Sequence, residues 1–312
     1  EGKVCMSYSI GWQAINLEMP ERVAHTEYCS HPLLVKEITG RDPREDPSAW
    51  RIFYDAVEMD IIWFTNDGPP AKGRRTSMGH SIFQQNGVDL DRSVHCPFKS
   101  PEEVLSFDPV EEYGLPDEEE RAAYFQSVYE QGQSSYPGQV HPGGYYKTLF
   151  SACIDTFGWD MFLSAAPLDY ERFDRVLEGF FRITLANCRA WARTSIPFFI
   201  CHDDIVWTSG PVFHPEWYRR YVFPRYARLW EPLKEAGKKV LFCSDGDFTM
   251  FVDDLARAGA DGFIFEPLTS LEQIAGRYGS TKVIIGNADT RILTFGSREE
   301  IRREGERCMA AG

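Results

Sequence analysis

Long apolar runs are absent from this 312-residue chain. No stretch of 18 apolar residues occurs and no signal-peptide pattern is present, whereas a membrane-spanning helix needs about 20 predominantly apolar residues. The chain also lacks a Pro/Gly/Ser-rich linker, a low-complexity tract and a sequence repeat. These absences predict a cytoplasmic protein that folds as a single domain over residues 1–312.

Positive charge is also scarce, since 33 Lys and Arg face 47 Asp and Glu and leave a net charge of -14. An acidic surface repels the phosphates of nucleic acids and of anionic membranes, so both are excluded as expected partners. The eight cysteines are scattered along the chain, which favours reduced thiols over a disulfide framework. A small-molecule substrate is the class that remains.

Four short apolar runs in the second half each end in polar residues. A strand buried on both faces forms a continuous apolar run, and reactive groups gather where parallel strands end. The intervals between these runs hold amphipathic helical patterns, as crossovers between parallel strands require. This arrangement predicts three consecutive βα units with an enzyme site at the strand ends. The runs are PFFICHDD (197–204), KVLFCSDGD (239–247), GFIFEP (262–267) and KVIIGNADT (282–290).

The intervening segments carry helix start and stop signals. The first interval predicts one helix closed by Gly237, and Gly259 closes the next. Ser270 or Thr269 caps the start of a third helix. Residues 66–147, by contrast, predict long loops and one helix that elaborate the scaffold.

Cys243 and Asp245 form the strongest local constellation, because alternate residues at a strand end project to the same side. A thiolate and a carboxylate are competent zinc ligands. Glu266 ends the next strand and is the candidate third ligand or general base. The alternative is a buried Cys243 beside an Asp245 that only caps the following turn.

His202, Asp203 and Asp204 follow the first apolar run. They are candidates to bind a metal, accept a proton or hold a substrate donor, although one acid could instead cap a helix or pair with an arginine. Asn287 and Asp289 end the last run in the same way, where both residue types also form ordinary turns.

Two weaker runs near the N-terminus predict earlier strands with polar ends. Glu27 and Tyr28 end one of them, and Asn66 follows the other. Together with Trp207, which lies in a predicted mouth loop, Glu27 and Tyr28 are candidate cofactor- or substrate-binding residues.

These residues lie in stretches that resemble the uroporphyrinogen decarboxylase superfamily, over about 140 residues in order and spacing. The resemblance implies an α/β protein with a TIM-type (β/α)8 barrel, N-terminal and loop elaborations, a site at the carboxyl ends of the strands, and a possible homodimer. A remaining piece of the barrel is expected beyond Gly312. The stretches are NLEMPERVAHTEY, HDDIVWTSGPVFHPEWYRRYVFPRYARLWEPLKEAGKKVLFCSDGD, GADGFIFEP and YGSTKVIIGNADTRILTFGSREEI.

Within the superfamily, the chain is most similar to the zinc-dependent methyltransferases that exchange methyl groups with corrinoid proteins. That branch has His-x-Cys where this chain has Cys243 and Asp245, which suits an oxygen-rich site acting on a methylated or methoxylated substrate. The resemblance thus implies zinc in the site, a corrinoid on a partner protein and a small-molecule methyl donor. Asp203 or Asp204 would position or protonate the substrate.

Two alternatives remain at this level. The first is tetrapyrrole decarboxylation. The resemblance implies that true decarboxylases open with an arginine-rich segment that binds the substrate propionates, whereas Arg22, Arg41 and Arg44 are separated here and lie in acidic sequence. The second is a non-catalytic barrel that binds a tetrapyrrole or corrinoid.

Overall fold

The computed structural model describes residues 2–29, 31–76, 82–84, 87–89 and 95–312. The helices are α1 (Gly2–Ile15), α2 (Pro32–Thr39), α3 (Ser48–Ala56), α4 (Pro101–Leu105), α5 (Pro109–Tyr113), α6 (Glu118–Ser135), α7 (Phe150–Ala165), α8 (Tyr170–Ala192), α9 (Pro215–Tyr221), α10 (Phe223–Glu235), α11 (Val252–Ala258), α12 (Leu271–Tyr278), α13 (Thr290–Phe295) and α14 (Arg298–Ala311). The strands are β1 (Thr26–Glu27), β2 (Ile61–Ile62), β3 (Ile82–Gln84), β4 (Gly87–Asp89), β5 (Gly143–Tyr145), β6 (Phe198–His202), β7 (Val206–Trp207), β8 (Gly210–Pro211), β9 (Lys239–Ser244), β10 (Gly262–Phe265) and β11 (Val283–Ile285). No helix in these described ranges has both the length and the apolar content that a membrane span requires.

The central element is a parallel sheet with the strand order β11-β10-β9-β6-β5. Its register pairs His202 with Cys243 across β6 and β9, and Cys243 with Ile264 across β9 and β10. The four apolar runs of the sequence therefore form β6, β9, β10 and β11, which confirms the predicted α/β class with a parallel sheet.

Two short strands form a separate parallel pair beside β5. β1 pairs with β2 in parallel, and a bridge joins Ile61 of β2 to Val140, just ahead of β5. The N–H of Asn66 donates to the carbonyl of Gly144 at 2.9 Å. The polar ends that follow β1, β2, β5, β6 and β9 consequently meet at one edge.

β6, β9, β10 and β11 are largely apolar because protein covers both faces of the sheet. Phe199 and Phe242 belong to a large cluster shared with the helices, whereas Ile200, Leu241 and Cys243 belong to a smaller cluster on the opposite face. Side chains alternate between the two faces along a strand. His202 therefore projects to the same face as Ile200, and Asp245 projects to the same face as Cys243. The predicted same-side arrangement thus follows from the pleat.

The segment after β8 contains two helices where the sequence predicted one. The break at Val222, between α9 and α10, precedes Pro224. Proline has no N–H to donate and disfavours helical geometry in the residue before it, so a helix running straight through is disrupted. The later helix boundaries agree with prediction, since Ser270 caps α12 and Gly259 adopts a φ of 112° after α11.

The prediction of long loops and one helix for residues 66–147 was wrong, because three helices, α4, α5 and α6, and the strand β5 lie there. The sequence of β5 contains Gly143 and Gly144 and shows no apolar run. A Cβ at Gly143 would lie 2.5 Å from the Ile196 side chain, and one at Gly144 would lie 2.7 Å from the carbonyl of Phe64. Close packing excludes larger residues there, so the usual strand signal is missing.

Candidate active site

Three polar side chains converge at the ends of β6 and β9. His202 is the last residue of β6, Asp204 lies two residues further on, and Asp245 directly follows β9. One atom from each side chain that could ligate a metal, a ring nitrogen or a carboxylate oxygen, lies within 4.8 Å of the corresponding atoms of the other two. His202 Nε2 is 3.0 Å from Asp204 Oδ1, which also accepts the N–H of Asp245 at 3.0 Å.

Aromatic side chains and a hydroxyl fix the orientation of this group. The Tyr146 hydroxyl donates to Asp204 Oδ2 at 3.0 Å. The Tyr146 and Trp63 rings meet the His202 imidazole edge-on, with centroids 4.2 and 5.7 Å away. The N–H of Asp204 donates to Ser151 Oγ at 3.0 Å. Tyr146 and Ser151 follow β5, the strand that sequence reasoning missed.

The close charges change the pKa of each member. Burial lowers the pKa of His202, but the Cys243 sulfur and the Asp204 carboxylate raise it, and the result lies well above the usual histidine value. Burial is the strongest single influence on Asp204 and raises its pKa, but the bond and charge of His202, the Asp245 N–H and the Tyr146 hydroxyl together outweigh burial and leave that pKa low. Burial and the carboxylates of Asp204 and Glu266 raise the pKa of Asp245 to about 7. Two carboxylates therefore share one imidazole, whose positive charge balances Asp204, and a bound metal could take the place of the protons on His202 and Asp245.

The two adjacent acids after β6 have different surroundings. Asp203 is fully buried, and its carboxylate accepts the N–H groups of Leu149, Phe150 and Ser151 at 2.6 to 3.0 Å. It also accepts the Tyr226 hydroxyl at 2.6 Å. Because α7 has no capping side chain of its own, Asp203 caps that helix from a neighbouring strand. Its carboxylate is used for structure, while that of Asp204 faces the site.

The two other residues that the sequence suggested as metal ligands lie beside this group of three. Cys243 is buried and its thiol contacts His202, and burial raises its pKa while His202 opposes the rise. Glu266 is exposed and close enough for its charge to act on Asp245. The structure thus brings His202 and Asp204 close to Asp245. The Cys243 thiol and the Glu266 carboxylate lie nearby as further metal-ligating groups.

Asn287 and Asp289, which the sequence suggested as catalytic, are held in local networks. Asn287 is buried, donates to the carbonyl of Thr269 at 2.8 Å and accepts from Arg307 at 2.8 Å. Asp289 caps α13 and binds Arg291 at 2.6 Å, which lowers its pKa to about 2. Neither residue is part of the group around His202.

The candidate cofactor-binding residues are all exposed. Glu27 and Tyr28 are on the surface at the end of β1. Trp207 lies on β7, just after the site, and packs edge-on against Trp159 at 5.2 Å. These side chains lie outside the group of three and are open to a ligand or partner.

Asp245→Asn should stabilise the metal-free protein above neutral pH. The folded pKa of about 7 exceeds the usual unfolded value of about 3.9, so the folded state binds the proton more tightly. Wild-type stability should fall as the pH rises from about 4 to about 7, and the asparagine removes that loss. We expect a gain on the order of 1 kcal/mol at pH 8, after a reduction for solvent exposure.

Urea denaturation with chelator at pH 4.5 and pH 8 measures this difference. The two proteins should have similar stability at the lower pH. A variant that is less stable than the wild type at pH 8 would contradict the assigned electrostatic cost of Asp245.

Comparison with known proteins places this geometry in a family. The model of the uroporphyrinogen decarboxylase (URO-D) family matches residues 95–312. This match spans more than half of the chain, which therefore belongs to the URO-D family. The resemblance drawn from the sequence is confirmed.

A solved structure gives the same result at the level of the fold. A methyltransferase from Methanosarcina mazei is similar to this chain with a TM-score of 0.64 and 13% sequence identity, covering 98% of this chain and 90% of that one. At this identity the likeness shows the fold alone. No curated protein matches the chain significantly in sequence.

Proposed function

We propose that this protein is a metal-dependent methyltransferase that moves a methyl group from a small methylated or methoxylated substrate to a corrinoid on a partner protein. The observation that carries the proposal is the convergence of His202, Asp204 and Asp245 at the strand ends. The proposal also takes the five-stranded parallel sheet and the β1–β2 pair as parts of a TIM-type (β/α)8 barrel, as the family implies.

The chemistry of the donor set fits a divalent metal, with zinc as the first candidate. Zinc takes histidine nitrogen and carboxylate oxygen ligands, commonly from three protein residues with one position open. His202, Asp204 and Asp245 would hold it, with the Cys243 sulfur beside His202 as a further donor. When bound, the metal supplies a Lewis acid that polarises the substrate oxygen.

The surrounding residues of the chain would hold the donors and the substrate. Tyr146 keeps its proton at neutral pH because burial and Asp204 raise its pKa, so it donates a hydrogen bond to Asp204 and fixes that carboxylate. Tyr146 and Trp63 enclose the His202 ring, which limits its rotation. Asp203 holds the start of α7 and with it Ser151, the partner of the Asp204 N–H.

Exposed apolar side chains near the strand ends suit a protein partner. Trp207, Met250 and Leu268 are exposed on segments that follow β6, β9 and β10. Phe295 ends α13, after β11, with 86% of its surface exposed. Each of these side chains follows the carboxyl end of a strand of the same parallel sheet, and exposed apolar side chains gathered at one edge are typical of interaction sites. We assign this rim to the corrinoid protein, which must approach the site to receive the methyl group.

The N-terminal arginines argue against tetrapyrrole decarboxylation. Arg22 makes two bonds to Asp60, at 2.6 and 2.8 Å. Arg44 binds Asp42 at 2.6 Å, and Arg41 binds Asp46 at 3.0 Å. All three guanidinium groups are thus engaged by carboxylates of the chain and are not poised for substrate propionates.

Methyl transfer to free cob(I)alamin tests the proposal. The zinc-loaded protein, mixed with a panel of methoxylated aromatic acids, should convert cob(I)alamin to methylcobalamin in the visible spectrum. Asp204→Asn should lower the rate about 100-fold or more, as expected for loss of a ligand or of its orientation. Decarboxylation of uroporphyrinogen by the metal-free protein, without methyl transfer, would contradict the proposal.

A further inference from the structure

A second group of polar side chains lies in the part of the chain that follows β2 and β5. Arg121, near the start of α6, has a fully buried Nη1 atom without a hydrogen-bond partner. In the described part of the chain no carboxylate lies within ion-pair distance of this guanidinium group. Buried polar groups are nearly always paired, and an unpaired charge is costly to bury. The unpaired Nη1 atom of this partly buried side chain indicates a missing hydrogen-bond acceptor.

The guanidinium group of Arg121 packs against the backbone of Gly68. A Cβ atom at Gly68 would overlap Arg121 Nη1, and its φ of +84° favours glycine. The Gly68 N–H donates to Asn66 Oδ1 at 2.7 Å, which fixes the turn. The backbone therefore leaves room for the Arg121 head group at a defined place.

A second arginine in the same region is only partly satisfied. Arg75 Nε is buried and has no hydrogen-bond partner among the described residues. Arg75 Nη1 lies 3.6 Å from Asp155 Oδ2, but the other oxygen of Asp155 binds Lys147 at 2.8 Å. Asp155 is thus shared between two cations, and its shorter contact is with the lysine.

A series of contacts places both arginines in the same region. Arg121 lies against Gly68, and the neighbouring Asp67 accepts the N–H of Lys147, whose ammonium shares Asp155 with Arg75. Burial and the Asp67 carboxylate raise the pKa of Tyr145, while the charges of Arg121 and Arg75 lower it. Asp67 in turn accepts the N–H groups of Tyr146 and Lys147 at 2.6 and 3.2 Å, so it is turned toward the backbone.

Positive charge exceeds negative charge among the described residues joined by these contacts. Three cations, Arg75, Arg121 and Lys147, accompany two carboxylates, Asp67 and Asp155. The excess positive charge contrasts with the chain as a whole, whose net charge is -14. Guanidinium groups bind carboxylates and phosphates with charge-assisted hydrogen bonds.

We propose that Arg121 and Arg75 form an oxyanion-binding site, against the Gly68 turn, for the carboxylate or phosphate group of a small molecule. The site is separate from the group around His202 and requires no metal. It is nevertheless linked to that group along β5, because Asp67 holds the backbone of Tyr146, whose hydroxyl binds Asp204.

Isothermal titration of the full-length protein with inorganic phosphate and, separately, with benzoate tests this site. Wild type should bind at least one of these anions saturably, and Arg121→Gln should weaken that binding at least 10-fold. Arg193→Gln is the matched control, because this exposed arginine on the surface is paired with Glu119, and it should bind as the wild type does. Arg75→Gln, at a half-exposed position, provides a second variant should Arg121→Gln fail to fold.

Preference for phosphate would identify a phosphorylated ligand and preference for benzoate a carboxylated one, and either supports the site. Wild type should also melt at a higher temperature with the bound anion, whereas Arg121→Gln should not respond. Absence of binding by both anions, or equal binding by folded Arg121→Gln or Arg75→Gln and wild type, would overturn the proposal. Neither result bears on methyl transfer, since the titration is made without metal.

Discussion

His202→Ala should lower the affinity of the protein for zinc by about 100-fold or more. The imidazole is the single nitrogen donor of the group of three, and its removal leaves two carboxylates whose mutual repulsion opposes their convergence. The ring is also held by Tyr146 and Trp63, so the wild-type site is organised before the metal arrives. Competition titration with a chromophoric chelator measures the difference in affinity.

His31→Asn is the matched control for this prediction. His31 is a surface residue whose ring accepts the N–H of Leu34 at the start of α2, and asparagine preserves helix capping. Its zinc affinity should equal that of the wild type. If both variants bind zinc equally well, His202 is not a ligand.

Asp203→Ala should have the largest effect on stability, a loss of at least about 3 kcal/mol in the free energy of unfolding. The carboxylate accepts three backbone N–H groups at the start of α7 and the Tyr226 hydroxyl. Alanine leaves these donors buried without partners, and each unsatisfied group costs about 1–3 kcal/mol. Equilibrium unfolding in urea, followed by circular dichroism, measures the loss.

Tyr226→Phe gives a graded comparison, because it removes one of the four donors and leaves the carboxylate paired with the others. We expect a loss of about 1.5 kcal/mol for this variant. An Asp203→Ala protein with wild-type stability but no methyl transfer would instead assign Asp203 to catalysis, as the sequence first suggested.

The sequence predicted the second half of the fold because buried parallel strands have a strong signal. β6, β9, β10 and β11 contain apolar residues on both faces, and glycine or serine marks the helix ends between them. The alternation that carries Cys243 and Asp245 to the same side is a property of any strand. These features are local, so one sequence suffices to read them.

The features that were missed depend on contacts distant in sequence. β5 contains glycines because the Ile196 side chain and the Phe64 carbonyl approach them closely. The sequence around β5 does not indicate these contacts. Tyr146 joins the site only through β5, and Asp203 caps a helix that begins more than 50 residues earlier. Asp203 and Asp204 are adjacent and look equivalent in sequence. In the structure, Asp203 is buried and stabilises the fold, whereas Asp204 faces the site.

We propose that His202, Asp204 and Asp245 hold the metal on which methyl transfer depends. Anomalous diffraction from crystals of the zinc-loaded protein, recorded on both sides of the zinc absorption edge, tests it most directly. We expect one strong peak within bonding distance of all three side chains. A fully loaded protein whose zinc peak lies elsewhere in the chain would contradict it.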